Sequence, residues 1–147
     1  EAFATMRASV ARKAPTARID GFMVQPMKKG HVETIVGLSR DPSFGPMLMF
    51  GLGGVYVEAL HDVVFRLAPV SDAEARDMIC GLRSAALFDG LRGAPPADRE
   101  AITSVIRRVG QLAIDFPSIA ELDVNPLLIV DEGVVAVDAR VRLSFTG

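Results

Sequence analysis

A single cysteine, Cys80, in 147 residues leaves no internal disulfide framework to build. It suits a reducing cytoplasm, and its helical context places it in the core rather than at a reactive site. Only two histidines accompany it, so no zinc-type cluster is on offer. No apolar run reaches the length of a membrane span. The formal net charge is -2, which gives no basic excess to recruit nucleic acid or an anionic membrane. Internal repeats and low-complexity segments are absent, as is a signal peptide. A chain that begins at Glu1 without these features is expected to be a cytoplasmic piece of something longer. What is there is 50% hydrophobic and 23% charged, the composition of one globular domain over residues 1–147 with a real core.

Periodicity divides the chain. Residues 1–14 read as a helix ended by Pro15, with Phe3, Met6 and Val10 at helical spacing. Strands are expected over Gly21 to Met27, His31 to Arg40, Pro46 to Gly51, Val55 to Glu58 and Val63 to Leu67, with Lys28-Lys29-Gly30 and Asp41-Pro42 as turns. Ser71-Asp72-Ala73-Glu74 has the form of a capping box opening a helix that runs to about Cys80. A short helix around Arg83 to Phe88 and a glycine- and proline-rich loop follow. Asp98 then caps the longest helix, Arg99 to Asp115, whose Ile102, Val105, Ile106, Val109, Leu112 and Ala113 share one face. Strands first, then helices, then a hairpin imply an α+β fold: a largely antiparallel sheet covered by helices.

The stretch richest in chemistry is Glu121 to Arg140. It reads as two strands joined by a tight turn at Asp131-Glu132-Gly133. Alternation puts Glu121, Asp123 and Asn125 on one face. A turn centred between Asp131 and Glu132 sets Asn125 opposite Asp138 on that same face, and a slip of one residue would separate them. Oxygen ligands of this kind suit Mg²⁺, which takes one or two protein ligands and completes its shell with phosphate oxygens and water. An exposed polar sheet face accounts equally well for the alternation. Asn125-Pro126 is harder to place on that view, since both residues are poor strand formers in a very apolar run.

Other candidates have two readings each. Gly51-Leu52-Gly53-Gly54 can bring backbone N–H groups close to an anion or simply form a flexible loop; it has no P-loop lysine. Arg66 is a snorkelling strand arginine or a phosphate clamp. Glu33 is an exposed-face glutamate or a hydroxyl or metal contact. His31 and His61 read as surface residues.

Several motifs occur in one order: V-Q-P-M, H-V-E-T-I-V-G, D-P-S-F-G-P, M-F-G-L-G-G-V-Y-V-E, D-V-V-F-R-L-A-P, R-G-A-P-P-A-D, A-E-L-D-V-N-P-L and V-A-V-D-A-R. Together they resemble the C-terminal lobe of the ATP-grasp domain of NDP-forming acyl-CoA synthetases, relatives of the succinyl-CoA synthetase β subunit. The resemblance spans about Gly21 to Leu143. It implies that ATP or GTP phosphorylates a histidine on a mobile loop, which passes the phosphate to an acid bound with CoA. It assigns Gln25 and Met27 to the adenine hinge and Glu33 to nucleotide contact. Asn125 and Asp138 become the Mg²⁺ ligands, and Asp123 the carboxylate that meets the phosphohistidine. Gly53, Gly54 and Arg66 fall where phosphate approaches. Arg140 stands where the related subunit has a lysine.

The resemblance also implies partners: the CoA-binding and ligase domains, which carry the phosphorylated histidine, and the other lobe of the ATP-grasp domain. The isolated chain is therefore expected to be inactive. Neither nucleic acid nor membrane is an expected partner, and an oligomer is compatible with the pattern. Similar domains are also fused to protein acetyltransferases, where they are regulatory, and that is the alternative function.

Overall fold

Long amphipathic helices in a chain of short apolar strands need a sheet to lie on, and one sheet face here supplies it. The computed structural model describes residues 1–54, 61–90, 93 and 95–144. Its elements are α1 (Ala2–Lys13), β1 (Val32–Asp41), β2 (Gly45–Leu52), β3 (Val63–Leu67), α2 (Asp72–Cys80), a 3-10 turn (Ala85–Asp89), α3 (Arg99–Asp115), β4 (Ile119–Ile129), β5 (Val134–Ala136) and β6 (Ala139–Leu143). The strands form one antiparallel sheet in the order β3-β2-β1-β4-β5, with β6 also paired to β4. Among the described residues, no helix is long and apolar enough to cross a membrane.

The two faces of the sheet differ. Val36 and Leu38 of β1, Leu48, Phe50 and Leu52 of β2, and Leu122, Val124, Leu127 and Ile129 of β4 are buried in a core shared with Met78, Ile79, Ile102, Ile106 and Val109 of the helices. α3 packs on β1 and β2, and α2 on β2 and β3. The expected capping box is present: Ser71 N–H donates to Glu74 Oε2 at 2.8 Å, and Glu74 N–H donates to Ser71 Oγ at 3.3 Å. Asp98 accepts from Ala101 N–H at 2.9 Å, as a cap should. Among the described residues no helix packs on the opposite sheet face, and along β1 and β4 it presents Glu33, Gly37 and Ser39 beside Glu121, Asp123 and Asn125.

Several expectations change. Gly21 to Met27 is not a strand; none of its backbone enters the ladder, and β1 begins only after His31 N–H donates to Ile129 O at 2.8 Å. An apolar run without a neighbouring strand has nothing to pair with, and Pro26 lacks the donor a ladder needs. α1 forms as expected but buries none of its residues. The helix expected near Arg83 to Phe88 is a 3-10 turn. Cys80 is exposed rather than in the core, because α2 turns Ala75, Met78 and Ile79 inward and its last residue falls off that face. The strand expected over Val55 to Glu58, and Leu91 and Arg92 of the expected loop, lie outside the described residues.

Candidate functional site

From Glu121 to Ile129, β4 keeps one register with the strands after it; it shifts only between Ile119 and Glu121. Glu121 lies opposite Arg142, Asp123 opposite Arg140, and beyond the Asn125 level Leu127 lies opposite Ala136. Asn125 N–H donates to Asp138 O at 3.1 Å, so these two residues face each other as the turn geometry required. Against β1 the same strand is irregular. Thr34 pairs with Leu127 but Val36 pairs with Val124, so Asn125 and Pro126 together stand opposite Ile35. That is a β-bulge, and it explains two poor strand formers in an apolar run. It also switches the side that is buried: Leu122 and Val124 face the helices before it, Leu127 and Ile129 after it. The Thr34 hydroxyl, fully buried, donates to Leu127 O at 2.8 Å beside the irregularity.

The hairpin face therefore stacks three cross-strand pairs. Glu121 and Arg142 form an ion pair at 2.7 Å. Asp123 is half-buried, and burial pushes its carboxyl above the usual range; the Arg140 guanidinium pulls it back and the Asp138 carboxylate adds to the rise. Asn125 and Asp138 complete the stack. Two oxygen-bearing side chains opposite each other on a rigid ladder fit an ion that takes its remaining ligands from phosphate and water. Among the described residues no group of three or more His, Cys, Asp or Glu gathers to hold a metal, so this pair offers a shared site rather than a closed cage.

Beside it lies a cavity of about 450 Å³, lined by residues 25–30, Glu33, Pro126, Leu128 and Val137. It gathers three residues that the sequence singled out separately: Gln25, Met27 and Glu33. Val137 and Pro126 adjoin Asp138 and Asn125 in the chain, so the cavity ends one residue from the oxygen pair on each strand. Gly53 and Gly54 close in from β2. Gly53 N–H donates to Glu33 O at 2.7 Å. Gly54 has φ +63°, and a Cβ there would come within 2.6 Å of Glu33 Oε2, so only glycine leaves that carboxylate its place. A second, smaller cavity of about 220 Å³ opens further along β4, against Gly37, Met47, Met49, Phe65 and Asp123.

Arg66 is not brought to this face. It pairs with Leu48, whose side chain is in the helix-side core, so alternation turns Arg66 the same way. Its Nη1 donates to Phe65 O at 2.8 Å, and its charge is felt by Glu74 at the start of α2. His31 and His61 also stand apart. His31 pairs with Asp131 at 2.6 Å, at the turn end of the hairpin. His61 has φ 46° and precedes Asp62, a buried carboxylate that accepts from Arg83 N–H at 2.9 Å and Ser84 N–H at 2.8 Å.

Sequence reasoning missed most of the lining. Pro26, Lys28, Lys29 and Gly30 read only as a strand end and a turn, although adjacent cations near Glu33 were a usable signal, and Pro126 was singled out only as a poor strand former. Leu128 and Val137 gave no signal, because which side of a strand they occupy depends on the bulge.

An ATP-grasp domain family matches residues 1–143. The acetate–CoA ligase [ADP-forming] I of Archaeoglobus fulgidus is 46% identical over 97% of this chain, which spans 21% of that protein. The acetate–CoA ligase [ADP-forming] I subunit beta of Pyrococcus furiosus is 41% identical over 97% of the chain, which spans 62% of it. Among solved structures, the dinucleotide forming acetyl-coenzyme A synthetase 1 of Ca. Korarchaeum cryptofilum is 46% identical with a TM-score of 0.76, over 80% of this chain and 55% of that one. That structure holds coenzyme A and Mg-AMPPCP, with its phosphohistidine segment pointing towards the nucleotide binding site. The chain thus spans less than two thirds of each of these relatives. None of the three is an acetyltransferase, and nothing supports the regulatory alternative.

Proposed function

The chain belongs to the ATP-grasp domain family, and from that premise we propose that it is the nucleotide- and Mg²⁺-binding C-terminal lobe of an ADP-forming acid–CoA ligase. In the full protein, acid, CoA and ATP (or GTP) would give acyl-CoA, nucleoside diphosphate and phosphate through a phosphohistidine that lies outside this chain. The CoA-binding and ligase domains carrying that histidine are its partners, and the compartment is the cytoplasm. The observation that supports the proposal is the cavity at residues 25–30, whose Pro126 and Val137 are the chain neighbours of the opposed Asn125 and Asp138. The Mg-AMPPCP bound by the Ca. Korarchaeum cryptofilum relative supports the same ligand class.

Each residue has a part. The apolar Met27, Leu128 and Val137 walls and the polar Gln25 suit a purine base, with Glu33 below it. Asn125 and Asp138 would hold Mg²⁺, which when bound neutralises phosphate charge that the chain itself cannot meet. Arg140, opposite Asp123, would supply a cation at the phosphate end of the face. In the transfer, an imidazole nitrogen forms a bond to the γ-phosphorus as the bond to the diphosphate's bridging oxygen breaks. The diphosphate leaves with that electron pair. Asp123 accepts a hydrogen bond from the other ring nitrogen and stabilises the ring as it becomes cationic. Catalysis of this kind rests on position and charge rather than on covalent help from the lobe.

The test is a coupled assay of the full-length protein with CoA, a panel of carboxylic acids, and ATP or GTP. Multiple-turnover release of the nucleoside diphosphate that requires both an acid and CoA is the expected outcome. A protein that releases none with any acid, and never labels itself from γ-labelled nucleotide, would refute the proposal.

A further inference from the structure

The two walls of the larger cavity are held in different ways. Leu128 belongs to β4 and pairs with Glu33 of β1 on one side and Val135 of β5 on the other. The facing wall, residues 25–30, is the end of a segment that makes no ladder bond, and its Met27 is almost fully exposed. The far end of that segment rests on α1, where the Phe22 and Phe3 rings meet edge to face at 4.5 Å. α1 itself buries no residue, so it offers no fixed support. Where Gln25 and Met27 stand over the sheet is therefore set at the near end, at Gly30 and His31.

Two features fix that end. His31 N–H donates to Ile129 O at 2.8 Å, and His31 Nε2 lies 2.6 Å from Asp131 Oδ1. Asp131 stands in the turn between β4 and β5, so the pair ties the segment to the hairpin that also supplies Leu128. The pair is open to solvent and contributes little to the stability of the fold. The second feature is the missing side chain at Gly30. A Cβ there would come within 2.7 Å of Ile129 O and 3.0 Å of Leu128 Cβ. Gly30 does not have a positive φ, so space alone calls for glycine. Bare backbone lies directly on the sheet at the rim of the cavity.

Packing decides which side would yield to a larger residue. Ile129 is buried in the helix-side core and pairs with both Val32 and Val134. Its carbonyl cannot retreat without moving three strands. The segment has no such partners, so it lifts instead. Relieving the contact takes roughly 0.5–1 Å, and that displacement widens the cavity.

We propose that Gly30 and the His31–Asp131 pair are positioning residues of the nucleotide site. Gly30 lets residues 25–30 lie close against β4, and the pair braces them there. Neither reacts; both act through Gln25 and Met27. The proposal rests on the nucleotide reading above and adds what sets the width of its base pocket. A base is held alike before and during phosphoryl transfer. Loss of its support therefore raises the KM for nucleotide and leaves kcat near its value.

Gly30→Ala, Asp131→Ala and Asp131→Asn in the full-length protein test it. Asparagine keeps an oxygen that accepts from the ring N–H, whereas alanine does not. Mg·ATP affinity is read by titration, the KM values for ATP, acid and CoA in the coupled assay, and folding by thermal unfolding. Gly30→Ala should weaken Mg·ATP binding on the order of tenfold, the scale of a sub-ångström misplacement. Asp131→Ala should weaken it roughly two- to fivefold, the range of an exposed pair, and Asp131→Asn should restore most of that. In all three the KM values for acid and CoA and the unfolding midpoint should stay near those of the wild type. Unchanged Mg·ATP affinity in Gly30→Ala overturns the proposal and leaves the nucleotide reading intact. So does an equal rise in all three KM values, or a lowered unfolding midpoint that accompanies the weaker binding in both alanine variants, since either is general damage. Asp131→Asn as weak as Asp131→Ala removes the brace. A wild-type protein that binds no Mg·ATP refutes the reading beneath.

Discussion

Asp123 and Asp138 sit on the same face, yet under the proposed function their positions on the ladder give them different work. Asp138 is opposite Asn125, and Asp123 is opposite Arg140. Asp138→Asn should therefore impair Mg·ATP binding and with it phosphohistidine formation, because a charged ligand is lost where triphosphate charge must be neutralised. Asp123→Asn should leave binding close to normal and slow transfer by on the order of 10²–10³. Titration and rapid-quench phosphorylation of the two variants separate these outcomes, and the reverse pattern would exchange the roles. Asp62 offers a different residue-scale test. Burial alone would raise its carboxyl, but the Ser84 hydroxyl and the Arg83 and Ser84 N–H groups hold it below the usual range. A folded-state pKa below the unfolded one contributes stability that is full above about pH 4 and is lost as pH falls through the folded value. Asp62→Ala should cost about 1–2 kcal/mol at neutral pH, since two part-buried N–H groups lose a charged acceptor. It should also flatten the acid limb of a plot of denaturation midpoint against pH; an unchanged limb would show that the carboxylate is not what ties β3 to the 3-10 turn.

At the scale of elements, the bulge in β4 sets the site. Without the extra residue opposite Ile35, the alternation of Leu122 and Val124 would continue, and Leu128 rather than Leu127 would face the helices. The cavity beside Asn125 and Asp138 would then lose its apolar wall. Thr34 supports the irregularity by donating to Leu127 O from a fully buried position. Thr34→Val keeps the volume and the branch but removes the donor. It is expected to destabilise by about 1–2 kcal/mol in denaturant unfolding and to weaken nucleotide binding more than a core substitution of equal cost such as Ile106→Val. Equal effects on binding from the two would mean that the bulge is held by the ladder alone.

At the scale of the whole molecule, one sheet face is spent on the core and the other on the site. The core face is closed by α2, α3 and the 3-10 turn, so the 147-residue chain is expected to unfold in a single cooperative transition. Under the proposed function the other face would meet a nucleotide from one side only. The chain alone should therefore show no tight, Mg²⁺-dependent saturation with ATP in calorimetry, and tight binding would show that the site is more complete than the face implies. Segment 21–30 belongs to this scale too. Its Met23, Val24 and Met27 are exposed, and it lies along the cavity without joining the sheet.

Local signals determined most of the architecture. The capping box at Ser71, the Asp98 cap, the periodic face of α3 and the turn at Asp131 to Gly133 each involve residues within a few positions of one another, and their physics is written in those positions. The pairing of Asn125 with Asp138 was legible for the same reason, because a tight turn sets the register of the strands it joins. Contacts between distant segments decided the rest. Gly21 to Met27 reads as a strand, but a strand needs a neighbour, and no local pattern tells whether one is there. Arg66 reads as a phosphate clamp until pairing with Leu48 sends it to the helix side. Cys80 reads as core until the buried arc of α2 is known. Gln25, Met27 and Glu33 could be tied to Pro126, Leu128 and Val137 only by the pairing of β1 with β4, about ninety residues on, and by a bulge whose cause, Asn125-Pro126, was visible but whose consequence was not. Register within a hairpin is local, whereas the side a residue faces across a bulged, long-range strand pair belongs to the assembled sheet.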